Sequence, residues 1–327
     1  MLMPIPGALL KVMAALMSAL LFAGTAHAQW KPERTVEVVV FAAAGGGNDK
    51  AARQLQRIWQ EGRMLDAAVV NKVGGGGSVA YSYTTQKPGD GLTITLAQAG
   101  LLTNHITGRT PVSLADLTIL PYIGTEPVAL AVRADSPYKT LKEFVAQLRK
   151  DPQSLAISVG STRGAVNHFT IALLAKAAGI DPKQLKILVF GGGAESVANL
   201  LGGHIDAMMQ ASNNAIPHQQ AGTMRILGMS TPRRSASAPD APTFTEQGYK
   251  VLIDGWYAFV GPKSLTPAHV AYWDATLEKT VQTPEWKKFV ETTGWEWGYK
   301  NSKETAAYLR TEYDAAKSLL AEIGMTK

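Results

Sequence analysis

The sequence predicts an α/β fold with a mostly parallel sheet, and two observations predict it. β-rich apolar runs alternate with segments of helical periodicity along most of the 327 residues. Two glycine-rich turns, FAAAGGGND over residues 41–49 and FGGGAE over 190–195, each follow a strand-like run and lead at once into a helix. A strand, a tight turn and a helix in that order form the repeating unit of a parallel sheet with helices on both faces.

The elements read in order as follows. Residues 35–40 form a β-rich run. A helix is expected over 49–61, with Ala51, Leu55, Ile58 and Trp59 on one face and Gly62 as its stop. A short strand at 67–71 ends in Gly74 to Gly77, a weak helix covers 78–85, and Pro88-Gly89-Asp90-Gly91 turns into a strand at 92–97. Residues 128–132 make another strand. Thr140-Leu141-Lys142-Glu143 is a capping box, which starts a helix that runs to about Arg149. The rhythm then repeats: strand 155–159, turn 160–164, helix 165–178, strand 186–189, helix 195–201, strand 205–210, short helix 216–220 and strand 224–229. After Arg233 comes the loop SASAPDAPT, then a strand within 248–260. The chain closes with helices at 267–280, 284–292 and 302–323.

Composition narrows the function. Residues 1–28 read as a signal peptide: Lys11 is the one charge, 12–24 is apolar but shorter than the roughly 20 residues of a membrane span, and Ala26-His27-Ala28 is a cleavage site. A periplasmic location is expected. The chain has no cysteine, which excludes disulfides and a cysteine-linked lipid. Its net charge of +6 comes without a basic run interleaved with aromatics, so nucleic acid is not an expected partner. Catalytic signatures are missing. GSTRG at 160–164 has its serine one place too early for a nucleophile elbow, no H-x-x-x-H pair occurs, and His204-Ile205-Asp206 is the one close histidine–carboxylate pair. An enzyme, a metal and a cofactor are therefore not expected.

The glycine turns point to anion binding. The first turn of a helix has unpaired N–H groups and a partial positive charge, and glycines let a ligand come close to the backbone. Amides of Gly45, Gly46 and Gly47 are candidates to hold a carboxylate, with Ala43, Ala44 and Asn48 beside them. Asp49 would repel an anion; it either braces the loop and first helical turn or meets an ammonium group. Ligand contacts in an open α/β sheet lie beyond the carboxyl ends of strands. Gln98, Gly100, Gly192, Asn213 and Asn214 stand at such ends. Trp256, beside a crossing strand, is a candidate cleft residue.

Five strings resemble one known family, the Bug or TctC-like extracytoplasmic solute receptors of tripartite tricarboxylate transporters. VEVVVFAAAGGGNDKAAR resembles its first strand, glycine loop and helix. VNKVGGGGSVAYSYTTQKPGDGLTI is similar to a second landmark, with Asp90 and Gly91 in place and Leu92 where tyrosine is usual. SVGSTRGAVNHF resembles the loop opening a second-domain helix, with Gly164 and His168 matching and Ala165 where serine is usual. FGGGAESVANLLGGHIDAMM and PDAPT match two further segments. The resemblance implies a type 2 periplasmic-binding-protein fold, in which two α/β domains are joined by two crossing strands. It places residues 29–129 with 254–327 in the first domain, 130–253 in the second, and the crossings near 128–133 and 254–260.

By the same resemblance, a small carboxylate is held between the first glycine loop and the loop of Ser161, Thr162, Arg163, Gly164, Ala165 and Val166. Arg163 either clamps the ligand or is solvated or paired at the rim. His168 is either a paired, half-buried histidine or a ligand contact. The expected ligand is a small organic anion: a carboxylate, a dicarboxylate, an amino acid or an aromatic acid. A receptor for an uncharged amide is an alternative. The expected protein partners are membrane permease subunits, with a signalling protein as the alternative, and the chain is expected to be a monomer that closes by a hinge.

Overall fold

The architecture turns on one 17-residue strand, β4 (Leu117–Arg133), and its antiparallel neighbour β9 (Asp254–Pro262). The computed structural model describes residues 30–45, 47–160, 163–251, 254–322, 324 and 326, and the expected signal peptide lies outside them. On one side of this pair, β1 (Val36–Val40) runs parallel to β2 (Ala67–Asn71) and β3 (Thr93–Ala97). On the other, β5 (Ile157–Ser158) runs parallel to β6 (Ile187–Leu188) and β7 (Ala207–Ala211). The strand order is β2-β1-β3-β9-β4-β7-β5-β6, and β8 (Met224–Met229) and β10 (Glu296–Lys300) also pair with β4. The first part of β4 pairs with β9, and residues 128–133 pair with β7 and β8. One antiparallel strand thus links the two parallel groups, reaching β3 through β9 and pairing directly with β7.

Sequence patterning identifies only the second part of β4. Pro121 and Pro127 cannot donate to a ladder, and the β4–β9 register shifts between Ile119 and Tyr122 and again between Tyr122 and Gly124. Those interruptions erase the alternation by which a strand is recognised. Two further elements carry no readable signal. They are α3 (Gly100–Ile106), a seven-residue helix that begins on glycine, and β10. The first three helices in chain order are α1 (Gly47–Glu61), α2 (Ser78–Thr85) and α3.

The expected helix faces are the buried ones. In α1, Ala51, Leu55, Ile58 and Trp59 are buried against the first parallel group. The Trp59 indole donates to Thr280 Oγ1 at 2.8 Å and the Trp273 indole to the Gly91 carbonyl at 3.2 Å, so both polar edges are satisfied inside the core. Helix α4 (Leu141–Lys150) begins at the expected capping box: Glu143 N–H donates to Thr140 Oγ1, and Thr140 N–H to Glu143 Oε2. It packs Leu141, Phe144 and Leu148 into a second core, with residues from β7 and from α5 (Val166–Ala177). Helices α6 (Gly193–Leu201) and α7 (Ile216–Gln220) complete that side. The closing helices are α8 (Pro267–Val281), α9 (Pro284–Thr293) and α10 (Ser302–Glu322). α8 and α10 pack against β4, and Leu309 and Leu320 of α10 join a cluster with Leu101 and Trp256.

Candidate functional site

Strand ends from both parallel groups open on one cavity of about 700 Å³. The first group contributes Phe41, Ala42 and Gly45 from the first glycine turn, then Gly47, Asn48 and Lys50 from the start of α1. After β3 come Gln98, Ala99 and Gly100. The second group contributes Ala165, Val166 and Asn167 at the start of α5, Gly192, Gly193 and Ala194 at the start of α6, and Asn213 and Asn214 after β7. A third wall is formed by Glu126 of β4, Gly255 and Tyr257 of β9, and Phe289 and Trp295.

Besides the seven-residue α3, which starts at Gly100, three longer helices begin at the cavity: α1 from one group, α5 and α6 from the other. Each brings first-turn N–H groups with no intrahelical acceptor and the positive end of a helix dipole. The approach at two of these starts is close. An ideal Cβ on Gly193 would lie 2.4 Å from Asn214 Oδ1, so a side chain here would displace the Asn214 amide. A Cβ on Gly47 would stand 3.8 Å from Asn213 Nδ2, which places the two groups within a few ångströms of each other there. By contrast, a Cβ on Gly192 meets no heavy atom within 4 Å.

The first glycine turn is braced from below. Asp49 Oδ2 accepts from Gly45 N–H and from Arg53 Nε, both at 2.8 Å, and Oδ1 accepts from Asn71 Nδ2 at 2.9 Å. Asn71 Nδ2 also donates to the Ala42 carbonyl. Burial pushes the Asp49 carboxyl up, but the Arg53, Gly45 and Asn71 hydrogen bonds outweigh it and hold the group below the usual aspartate range. Asp49 is 1% exposed and outside the lining. The Gly45 amide, expected to face an anion, is engaged by Asp49. Ala43 and Ala44 are exposed and also outside the lining, and Gly46 lies outside the described residues.

The second loop is braced in a similar way. Gly164 N–H donates to His168 Nδ1 at 3.0 Å, which requires the neutral ring with its proton on Nε2. Burial, helped by the nearby Arg163 charge, lowers the His168 pKa to about 4. His168 and Gly164 stand behind the lining, while Ala165 and Val166 form part of it. Arg163 is turned elsewhere: its Nη2 donates to the Ile187 carbonyl at 2.7 Å, and it does not line the cavity. Ser161 and Thr162 lie outside the described residues.

Side-chain amides cover the rest of the wall. Asn48 Nδ2 donates to Gln98 Oε1 at 3.2 Å, and Asn167 Nδ2 donates to Gln210 Oε1 at 3.2 Å. On the third wall, Tyr257 Oη donates to Glu126 Oε2 at 2.7 Å, and the Tyr257 and Trp295 rings stack with centroids 3.7 Å apart. Trp256, the aromatic singled out from the sequence, faces the opposite way into the core and is 1% exposed. Its neighbour Tyr257 takes the cavity position, because successive residues of a strand point to opposite faces.

Sequence reasoning misses Glu126, Asn167, Tyr257, Phe289 and Trp295. The alternation Gly255, Trp256, Tyr257 carried a signal for Tyr257 once Gly255 was placed at the cavity. Glu126 sits in an interrupted strand and carried none. Among the described residues, no group of three or more His, Asp or Glu side chains could hold a metal ion, and no helix is long and apolar enough to cross a membrane.

The model of the tripartite tricarboxylate transporter family receptor matches residues 51–325. A Cupriavidus necator protein described as "UPF0065 protein in gbd 5'region" is 27% identical over 307 residues, covering 92% of this chain and 91% of its own. Two solved structures share the fold. The periplasmic binding protein BugD has a TM-score of 0.79 and 24% identity, over 91% of this chain and 100% of its own. R. palustris Rpa4515, solved with adipate, has a TM-score of 0.81 and 22% identity, over 90% and 99%. The family resemblance carried by the five strings and the periplasmic-binding-protein fold it implies are both borne out.

Proposed function

We propose that this chain, which belongs to the tripartite tricarboxylate transporter receptor family, captures a small carboxylate in the cavity where α1, α5 and α6 begin. The family and fold are those of solute-binding receptors. The observation that carries the reading is that the starts of three longer helices, from two separate parallel groups, face one space. Backbone donors with helix dipoles behind them favour a negative group. Asp49 and His168 fix the two loops without occupying the cavity. The adipate found with Rpa4515 supports a carboxylate as the ligand class.

In this reading, residues 29–129 with 254–327 form one lobe and 130–253 the other. β4 and β9 are the crossings about which the lobes close. Gly47 and Asn48 grip the ligand from one lobe, Ala165, Val166, Gly192 and Asn213 from the other, and Gln98 and Gly100 complete the pocket. Ligand contacts made with both lobes stabilise the closed form, which a membrane permease then recognises. The receptor works as a monomer in the periplasm, released from residues 1–28.

A thermal-shift screen tests this. Linear dicarboxylates, their monoamides, ω-amino acids and aromatic acids are added to the purified protein, and a ligand that binds only the native state raises the melting temperature. A concentration-dependent rise with at least one carboxylate is expected. A folded protein that responds to no carboxylate would overturn the assignment.

A further inference from the structure

Glu126 has no part in gripping a carboxylate, yet it lines the same cavity. Its side chain is almost wholly buried, 6% of the residue being exposed. Oε2 accepts from the Tyr257 hydroxyl, and Oε1 has no hydrogen bond of ordinary geometry. Opposite Glu126 on β9 stands Gly255, where a Cβ would lie 2.7 Å from the Glu126 carbonyl oxygen. No side chain can therefore cover the acid from that position. Among the described residues, Asn167 Oδ1, also on the lining, is buried and has no hydrogen-bond partner. The Asn167 amide is oriented by Gln210, whose Nε2 donates to Ser196 Oγ and whose Oε1 accepts from Asn167. Asn167 Oδ1 and the ionised Glu126 Oε1 are acceptors, and a buried acceptor without a well-aligned donor is costly.

Building on the receptor reading, we propose that the cavity takes a ligand with unlike ends. A carboxylate lies at the helix starts, and an N–H donor, an ammonium or a carboxamide, meets Glu126. Glu126 is then the specificity-determining residue. A second carboxylate at that end would present acceptors to the ionised acid and like charge to like charge. Lys50 is the one cationic side chain on the lining among the described residues, and it projects from α1 and not from the Glu126 wall. Tyr257 and Trp295 make that wall aromatic, so a charge or hydrogen bond formed there is poorly screened. Burial raises the Glu126 pKa to about 7, with the Tyr257 hydroxyl and Trp295 indole acting in the opposite direction. At neutral pH the acid can thus meet an ammonium as a carboxylate or share a proton with an amide.

Isothermal titration of the full chain with two chain-matched sets decides the question. One set is succinate, succinamate and 4-aminobutanoate; the other is adipate, adipamate and 6-aminohexanoate. The monoamide or the amino acid is expected to bind at least tenfold more tightly than the diacid of its own length. In Glu126→Gln, the ammonium preference should fall at least tenfold. Diacids that bind as tightly as their amide and amino counterparts would overturn the proposal while leaving the carboxylate receptor intact. A folded wild-type protein that binds no member of either set would overturn both. The wild-type ratios decide even if the variant fails to fold. An ammonium preference would mark an ionised Glu126, and an amide preference a shared hydrogen bond.

Discussion

Tyr257 donates its hydroxyl to Glu126 Oε2 at 2.7 Å, joining the two crossing strands at the wall of the cavity. Glu126 is thereby held in a buried place where its pKa rises from 4.5 to about 7. An acid whose folded pKa is raised binds its proton more tightly when folded. Its stabilising effect is complete below about pH 4.5 and is lost as pH climbs through 7. Relative to wild type, Glu126→Gln should therefore gain on the order of 3 kcal/mol between pH 4.5 and 8. Urea denaturation at both pH values checks the difference.

His168 works in the opposite direction over almost the same window. Burial, with the nearby Arg163 charge, holds its pKa at about 4 against an ordinary 6.5. A depressed histidine pKa means the unfolded chain takes up the proton first, so stability falls as pH drops from 6.5 towards 4. The two groups nearly cancel in the wild-type chain, whose stability should be flat across this range as far as they are concerned. His168→Gln should remove the acid-side loss, again on the order of 3 kcal/mol, and so unmask the fall due to Glu126 as pH rises.

Asp49 is a loop brace, and its removal should be felt both in stability and in binding. Asp49→Ala deletes the acceptors of Gly45 N–H, Arg53 and Asn71, at a cost of about 2 kcal/mol, and loosens the turn that opens α1. Ligand-induced stabilisation should shrink as well. Since the Asp49 pKa is lowered, its contribution is present above about pH 4 and lost on further acidification.

Thr140→Ala supplies the control. It breaks the capping box of α4 remote from the cavity lining and should cost about 1 kcal/mol in a thermal melt. The increment in melting temperature given by ligand should stay at its wild-type value.

Much of this fold is legible in the chain because local signals and tertiary packing agree. The α1 face of Ala51, Leu55, Ile58 and Trp59, the Thr140–Glu143 box and the strand at Ala67–Asn71 are each specified by residues a few places apart. The glycine turns point to the cavity for the same reason: they are local devices at strand ends. What stays hidden depends on partners distant in sequence. β4 is continuous only because β7, β8 and β9 pair along its length, despite Pro121 and Pro127. Glu126 becomes a cavity residue through Gly255 and Tyr257, about 130 positions away, and no periodicity announces it. Arg163 looks like a ligand clamp from its loop, but the Ile187 carbonyl, brought alongside by the sheet, takes its guanidinium.

The most direct test of the central claim is calorimetric titration of Gly192→Leu beside wild type, using the carboxylate that raises the wild-type melting temperature most. Gly192 lines the cavity in an extended conformation, and a Cβ there meets nothing within 4 Å, so the fold should tolerate leucine while the cavity loses room. The account predicts an unchanged melting temperature without ligand and at least a hundredfold weaker binding. Wild-type affinity in a folded Gly192→Leu protein would contradict it, because the carboxylate would then be bound elsewhere.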